Sequence, residues 1–221
     1  MKLLLSLILF IFVAFATAHN DCPKSAYLDV PPSDLVQAKD LSAADKVFHE
    51  KYMRIAIQVA IDNNAKFAAA IVHKNGTVMC TGVNTGRARI YHGEIEAIVN
   101  CTQMYGKKTW EDHYLYTTGE PCVMCSGAIM WSKFDKTIFA SYVNNMYCER
   151  CFNQLPMDSN EIFKLGYGIN HNTQLIGGVL EEITDTFFPS LCGTDNSWGV
   201  VPLCSENWRR SCPRSSRYFG Y

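Results

Sequence analysis

The sequence has no excess of either charge, because its 221 residues include 20 lysines and arginines against 21 aspartates and glutamates. Without a basic surplus the chain lacks the electrostatic attraction that long polyanions require, so nucleic acid is disfavoured as its main partner. The sequence also lacks an internal repeat. Hydrophobic residues make up 48% of the chain, which is enough to fill the core of one α/β domain.

Long apolar runs are also scarce, and the only one lies at the N-terminus. It extends from Leu3 to Phe15, follows Lys2 and precedes the small residues Ala16-Thr17-Ala18. About 13 residues fall short of the roughly 20 that span a bilayer, although a retained signal anchor remains the alternative. The pattern favours a cleavable signal peptide over residues 1–18 and a leader over 19–42. We therefore expect a secreted, extracellular protein without membrane attachment after cleavage.

Cysteine, in contrast, is abundant, with ten residues. This number is high for a cytosolic protein and ordinary for an exported one. If Cys122 and Cys125 serve another purpose, eight remain, which allows up to four disulfide bonds of unknown pattern. These are Cys22, Cys80, Cys101, Cys148, Cys151, Cys192, Cys204 and Cys212. Cys80 and Cys101 suit a bridge or buried thiols equally well, Cys148 and Cys151 suit bridges better than a second zinc site, and residues 191–221 are expected to form a disulfide-pinned, Cys-rich tail.

Hydrophobic periodicity predicts the element order α-β-β-α-β-α-β. The helices are expected at 42–63, 92–106 and 121–133, a hairpin at 66–84, strands at 113–119 and 136–143, and a short strand with a closing helix within 173–188. The first helix should bury Phe48, Tyr52, Ile55 and Val59, and the hairpin should turn at Lys74-Asn75-Gly76. Helices that cross between the late strands imply an α/β fold, a three-layer α/β/α sandwich on a mixed sheet over residues 43–190.

Two predicted helices begin with residues that can bind a metal. Pro121 suits a first helical position, and Cys122 and Cys125, three residues apart, then share one helical face. The positive end of the helix dipole favours their thiolates. Two thiolates leave a tetrahedral zinc ion short of two ligands, and His92, which opens another helix, can supply a third. Alone, the two cysteines would suit a disulfide or redox pair as well as they suit a metal site.

A histidine and two cysteines leave the fourth position of zinc open for water, which is typical of catalytic rather than structural sites. Glu94 follows His92 by two residues, and a carboxylate there can take a proton from that water and deliver it to a leaving group.

The segments "HGEIEAI" (92–98) and "LYTTGEPCVMCSGAI" (115–129) resemble the cytidine and deoxycytidylate deaminase superfamily, whose signature is H-x-E followed by P-C-x-x-C. The likeness is greatest to its purine-acting branch, the guanine deaminases and tRNA adenosine deaminases, and covers about residues 45–190. It implies one Zn²⁺ per chain held by His92, Cys122 and Cys125, with Glu94 as the catalytic residue.

The resemblance also implies substrate contacts, namely Asn84, Phe67, the backbone at Gly93, and Glu120 and Pro121 of the metal loop. The sequence departs from the family at Gly93, where alanine is usual, at "ARIY" before His92, and in the short segment between Asn84 and His92. That segment shapes the mouth of the pocket, so the departures bear on substrate choice.

The expected function is therefore that of a secreted zinc-dependent hydrolytic deaminase. Its partner would be a small-molecule nucleobase or nucleoside, with purines ahead of cytosine-type substrates, and the resemblance also implies a homodimer. Two other functions remain open. One is a catalytically silent binding protein or effector that keeps the fold and the zinc, and the other is a disulfide oxidoreductase that uses Cys122 and Cys125.

Overall fold

The computed structural model describes residues 35–155 and 157–191, except for the side chain of Cys148. The predicted signal peptide, residues 19–34 of the leader, and residues 192–221 of the tail with their three cysteines lie outside this range. Among the described residues no helix is both long and apolar enough to cross a membrane.

Six strands and five α-helices alternate along the described chain. In order, they are β1 (Leu35–Gln37), α1 (Ala43–Asp62), β2 (Ala68–His73), β3 (Val78–Val83), α2 (Gly93–Tyr105), β4 (His113–Gly119), α3 (Val123–Trp131), β5 (Lys136–Ser141), α4 (Ser159–Phe163), β6 (Gln174–Gly177) and α5 (Glu181–Thr184). A π-helical segment, Asn145–Glu149, and three 3₁₀ segments, Ala38–Asp40, Lys164–Ile169 and Asp185–Phe187, complete the regular structure.

The strands form one mixed sheet in the order β1-β6-β5-β4-β2-β3. The first four strands of this order run parallel to their neighbours, whereas β2 is antiparallel to both β4 and β3. The hairpin turns at Asn75-Gly76 as predicted, with Gly76 at a φ of 94°. The parallel strands β4 and β5 are joined through α3, which is the crossover that the sequence implied.

Alternation along the strands creates two cores, one on each face of the sheet. Ala69, Ile71, Leu115 and Phe139 face the core that contains residues of α2 and α3, while their neighbours Ala70, Val72, Tyr116 and Ile138 face the core of α1. Both sets are buried. Burial on both faces accounts for the nearly continuous apolar runs of β2 and β5. The arrangement confirms the predicted α/β fold with three layers.

Helix α1 begins as predicted but buries a different face. Ser42 is its N-cap, and the Ser42 side chain accepts a hydrogen bond from the Asp45 amide. Of the four expected core residues only Tyr52 is buried, and Phe48, Ile55 and Val59 are half-buried. Small side chains bring the helix close to the sheet, so the buried face is centred on Met53, Ala56 and Ala60.

Two features were missed by the sequence pattern and one was misplaced. Strand β1 lies inside the segment predicted as a leader and pairs with β6, and the helical segments between residues 145 and 169 were not predicted. The misplacement concerns Pro121, which is not a first helical residue. Cys122 has an extended backbone and serves as the N-cap of α3, so the helix begins only at Val123.

Candidate metal centre

The starts of α2 and α3 bring three potential metal ligands together. His92 is the N-cap of α2, Cys122 is the N-cap of α3, and Cys125 lies in the first turn of α3. Their donor atoms all lie within 4.8 Å of one another, and no other such group occurs among the described residues. The sequence placed His92, Cys122 and Cys125 at one site, and the structure does bring them together.

The spacing of the donor atoms fits a zinc ion. His92 Nδ1 lies 3.6 Å from the sulfur of Cys122 and 3.6 Å from that of Cys125. Tetrahedral bonds of about 2.0–2.1 Å to nitrogen and about 2.3 Å to sulfur place those atoms roughly 3.6 Å apart. The donor set also has the nitrogen and sulfur chemistry that zinc prefers over calcium or magnesium. The residues therefore fit one Zn²⁺, with Nδ1 as the donor of the imidazole.

Hydrogen bonds within the triad already separate charge. The hydrogen bond from Cys125 lowers the pKa of the Cys122 thiol to about 4. The hydrogen bond to Cys122 raises the pKa of His92, which favours an imidazolium beside a thiolate. A metal cation replaces these protons, since its ligands must be deprotonated.

Glu94 lies two residues after His92, in the first turn of α2, and is 4% exposed. Thr117 donates a hydrogen bond from Oγ1 to Glu94 Oε1 at 3.2 Å, and a further hydrogen bond links the carboxyl group to Cys125. Burial raises the pKa of Glu94. A buried carboxyl group with a raised pKa, beside a threonine hydroxyl, can accept a proton and return it.

Glycine at position 93 is explained by close packing. A Cβ atom there would lie 2.9 Å from Ala68 Cα, closer than such atoms approach. The start of α2 therefore touches the backbone of β2 at this point, and the alanine usual in the resembling family would need the backbone to shift. The predicted contact between the Gly93 backbone and substrate stays a prediction.

Asn84 and Phe67 lie side by side at the open end of the hairpin, where the Asn84 amide donates a hydrogen bond to the Phe67 carbonyl at 3.0 Å. The Asn84 side chain is exposed, and its Oδ1 accepts a weak hydrogen bond from the Gly86 amide at 3.4 Å. Phe67 is half-buried and packs against Phe188, with ring centroids 5.0 Å apart. Their roles in binding substrate stay predictions, and Phe67 also belongs to an aromatic cluster.

Glu120 makes contacts that the sequence did not suggest. Its buried carboxylate accepts hydrogen bonds from the Val143 amide at 2.9 Å and from the Ser159 amide and hydroxyl at 2.7 and 2.8 Å. Burial raises the pKa of Glu120 to about 7. Pro121 is buried beside it, and its carbonyl accepts a hydrogen bond from Ser126 at 3.0 Å. These hydrogen bonds tie the metal loop to the neighbouring chain segments, and Glu120 in this way braces the loop. The contact of Glu120 and Pro121 with substrate stays a prediction.

Two supporting threonines were missed by sequence reasoning. Thr117 holds Glu94, and the Thr118 hydroxyl accepts a hydrogen bond from the Ala68 amide while it donates one to the Lys66 carbonyl. Threonine is common in strands, so nothing in the stretch "TT" distinguishes these roles.

The cysteines divide into two chemical classes. Cys80 of β3 and Cys101 of α2 form a disulfide with a Cα–Cα distance of 5.6 Å, and Cys151 is also disulfide-bonded. Cys122 and Cys125 are free thiols. The structure thus decides for the bridge at Cys80 and Cys101, which the sequence had left open.

A cavity of about 600 Å³ lies elsewhere, beside Gln37, Leu41, Tyr142 and Gly177. It is lined by none of the predicted site residues. Among the described residues, the cluster of potential metal ligands lies at the triad and not in this cavity.

Comparison with known proteins agrees with this geometry. The family described as the cytidine and deoxycytidylate deaminase zinc-binding region matches residues 46–141, which include the whole triad and Glu94. The tRNA-specific adenosine deaminase of Bacillus subtilis is 29% identical over 139 residues, which are 60% of this chain and 81% of that protein.

Two other relatives are named as deaminases of bases. Guanine deaminase of B. subtilis is 32% identical over 42% of this chain and 64% of its own length, and cytosine deaminase of Candida albicans is 33% identical over 40% and 65%. The solved structure of guanine deaminase from Nitrosomonas europaea shares the fold at 22% identity with a TM-score of 0.53, over 63% of this chain and 81% of that one. Residues 46–141 of the chain are therefore similar to the zinc-binding region of the cytidine and deoxycytidylate deaminases, and the triad within them fits one Zn²⁺.

Proposed function

We propose that this chain is a zinc-dependent hydrolytic deaminase, which replaces the amino group of a free nucleobase or nucleoside with a carbonyl oxygen and releases ammonia. The observation that carries the proposal is the position of Glu94, a buried carboxyl group beside a His-Cys-Cys triad whose donor spacing fits zinc. A binding protein that retained zinc only as a scaffold would have no use for this residue.

The proposed reaction is redox-neutral and consumes one water. His92, Cys122 and Cys125 would hold a Zn²⁺, which would act there as a Lewis acid and lower the pKa of a water molecule. Glu94 takes a proton from that water as its oxygen bonds to the amino-bearing carbon, and returns the proton to the adjacent ring nitrogen. Glu94 then moves the proton of the newly formed hydroxyl group to the amino group, the carbon–nitrogen bond breaks as the carbon–oxygen bond becomes a carbonyl, and ammonia leaves.

Thr117 contributes by holding Glu94. Its hydroxyl lies 3.2 Å from both Glu94 Oε1 and the Gly119 carbonyl oxygen and can donate to either, and this contact keeps the carboxyl group beside the triad. Burial raises the pKa of the carboxyl group, which favours its protonated form.

We propose a purine as the preferred substrate of the enzyme. Relatives of the chain include proteins named guanine deaminase and tRNA-specific adenosine deaminase, and one structure with the same fold holds 2,6-diaminopurine. The cytosine deaminase relative keeps pyrimidines second. A tRNA substrate ranks last, because the chain has no basic surplus to hold a polyanion.

The proposal includes export, with the enzyme acting outside the cell. The support is the disulfide between Cys80 and Cys101 together with the bonded Cys151, since disulfides persist mainly in oxidising compartments. N-terminal sequencing of protein recovered from the medium of the native host tests this part, and an intact Met1 on cell-retained protein would contradict it. The expected homodimer is tested by light scattering.

The test of the function compares wild type with Glu94→Gln. Ammonia release is measured with guanine, adenine, cytosine and their nucleosides, and zinc is measured on the same samples. We expect one substrate to be turned over by wild type, and Glu94→Gln to keep zinc and fold while turnover falls by at least about a thousandfold.

Glu111→Gln is the matched control, because Glu111 is an exposed carboxylate near Lys133 and precedes the amino end of β4, whereas the triad lies at the carboxyl end of that strand. It should behave as wild type. Near-normal turnover by Glu94→Gln would refute the mechanism, while zinc without release from any base in wild type would favour the silent scaffold.

A further inference from the structure

A short loop, residues 84–91, connects the hairpin to the metal centre. It begins at Asn84, the predicted substrate contact, and leads directly into His92 of the triad. Residues 84–90 of the loop are exposed, except for Ala88, which is half-buried. Because the loop joins these two residues, its conformation affects how the Asn84 side chain is oriented relative to the metal centre.

One carboxylate of α2 holds this loop. Glu96 Oε1 accepts a hydrogen bond from the Thr85 hydroxyl at 3.0 Å. Arg87 donates from Nη2 to both oxygens of the same carboxylate, at 3.2 and 3.3 Å. The Glu96 side chain is 7% exposed, whereas that of Arg87 is 61% exposed. The anchor is therefore a buried group that receives donors from a solvated loop.

The remainder of the loop is tied to the same arginine. The Arg87 guanidinium lies 4.1 Å from the centroid of the Tyr91 ring, a cation–π contact next to His92. Backbone hydrogen bonds from Tyr91 to Ala88 and from His92 to Ile90 close two turns at the same end. Glu96 thus reaches the loop near both of its ends, through Thr85 at one and through Arg87 and Tyr91 at the other.

Helix geometry separates Glu96 from the proton carrier. Glu94 and Glu96 are two residues apart in α2, so their side chains leave the helix in different directions. Glu94 contacts Thr117 of β4, and Glu96 contacts the loop. One helical turn therefore carries two buried carboxyl groups with separate tasks.

We propose that Glu96 is a positioning residue that fixes the loop 84–91 and thereby the placement of Asn84 relative to His92. This role rests on the proposed function, because it takes Asn84 as a substrate contact. The anchor gives a physical reason why this chain can use "ARIY" and a short connection before His92: the loop is held by side chains of the first helical turn.

Replacing the carboxylate should release the loop without removing the metal. Glu96→Gln retains an oxygen that Thr85 can donate to, but it loses the charge that pairs with Arg87. The expected consequences are increased motion in residues 84–91 and a misplaced Asn84. Substrate binding should weaken, while proton transfer by Glu94 should continue.

The experiment compares Glu96→Gln, Thr85→Val and the control Glu111→Gln as zinc-loaded proteins. Amide exchange of residues 84–91 is followed by mass spectrometry, together with loss of zinc to a chelator and the kinetics on the base that wild type turns over. For Glu96→Gln we expect exchange in the loop about tenfold faster, zinc loss severalfold faster, and KM raised about tenfold with kcat within about threefold. Thr85→Val should show smaller changes of the same kind, and Glu111→Gln none.

Each outcome decides the proposal. Loop exchange, zinc loss and KM that match wild type would overturn it. A variant with faster exchange throughout α2 and a lower melting temperature, but an unchanged KM, would show a structural role alone and overturn it too. If wild type deaminates no base, the proposed function fails, and loop exchange with zinc loss still decides whether Glu96 fixes the loop.

Discussion

Buried polar side chains are hydrogen-bonded near the carboxyl end of strand β4, and near its amino end they lack hydrogen-bond partners among the described residues. At the carboxyl end, Thr117 donates a hydrogen bond to Glu94, and Glu120 receives three hydrogen bonds from Val143 and Ser159. At the amino end, His113 is 1% exposed, and neither of its ring nitrogens has a hydrogen-bond partner among the described residues. The neighbouring Trp110 indole nitrogen is also without one.

The difference distinguishes polar groups that are held in place for function from polar groups whose burial the fold only tolerates. An unpaired buried polar group costs free energy, and the cost is limited when the group stays neutral. Burial lowers the pKa of His113 to about 4, so its imidazole is uncharged at physiological pH. At the other end the hydrogen bonds fix the direction of charged or reactive side chains. We therefore expect changes at the carboxyl end to alter metal binding and turnover, and changes at the amino end to alter stability alone.

The largest effect should follow from the loss of one thiolate at the carboxyl end. Cys125→Ser removes a sulfur that lies 3.6 Å from His92 Nδ1. With two protein ligands left, zinc should fall from one per chain to below about 0.1 after dialysis, and turnover should fall by about a thousandfold or more. Metal analysis and ammonia release measure this. Full zinc occupancy in the variant would show that Cys125 is not a ligand.

Removing zinc from the wild-type protein sharpens the same point. A chelator should expose two reactive thiols per chain, Cys122 and Cys125, because the other described cysteines of known state are bridged. Titration with a thiol reagent under native conditions should find neither thiol in the zinc-loaded protein. Equal reactivity with and without zinc would contradict the assignment.

A smaller effect, on stability alone, is expected for the pair Cys80 and Cys101. Their disulfide joins β3 to α2 away from the triad. The double variant Cys80→Ala with Cys101→Ala should lose about 2–4 kcal/mol of unfolding free energy. Zinc content and turnover should change by less than about threefold, because no ligand or proton carrier is removed. Denaturant unfolding and metal analysis test this, and loss of zinc from the double variant would mean that the bridge supports the metal centre.

The metal centre could be predicted from the sequence because its determinants are local. The spacing of Cys122 and Cys125, and of His92 and Glu94, follows from single helical turns. Strands of the central sheet could also be placed, since apolar runs mark them. Both kinds of signal lie within a few residues of the features they predict.

What could not be predicted depends on contacts between distant segments. Strand β1 has three residues and no pattern of its own, and only its pairing with β6 makes it a strand. The partner of Cys80 and the hydrogen bonds of Glu120 to Ser159 depend on the folded chain in the same way. Glu96 carried no signal, because a glutamate in a first helical turn is usual for any helix.

Glu120→Gln should produce the next smaller effect. A glutamine cannot accept all three hydrogen bonds, because its amide nitrogen is a donor that would meet the Val143 or Ser159 amide. The variant should lose about 1–3 kcal/mol of unfolding free energy. It should still bind zinc, because Cys122 and Cys125 remain. Chemical unfolding at pH 8 and metal analysis measure these quantities, and a stability equal to wild type would show that the brace is dispensable.

The smallest effect is expected at the amino end, from His113→Phe. The pKa of His113 is about 4 in the folded protein and near 6.5 in the unfolded chain. Between these values His113 binds a proton in the unfolded chain and not in the folded one, so its contribution to stability is fully present above pH 6.5 and is lost as the pH drops to 4. Phenylalanine fits the aromatic surroundings of Trp110 and removes the titration without breaking a hydrogen bond.

His49 has a pKa that burial also lowers to about 4, so it adds a second titration in the same pH range. Glu120, whose folded pKa is about 7, contributes with the opposite sign in both proteins. His113→Phe should therefore lower the slope of unfolding free energy against pH by up to about 1.4 kcal/mol per pH unit, the contribution of one proton, with zinc content and turnover unchanged. Urea unfolding at several values between pH 4 and 7.5 measures the slope. A slope equal to that of wild type would mean that His113 is protonated in the folded state, and a loss of zinc would remove the distinction between the two ends of β4.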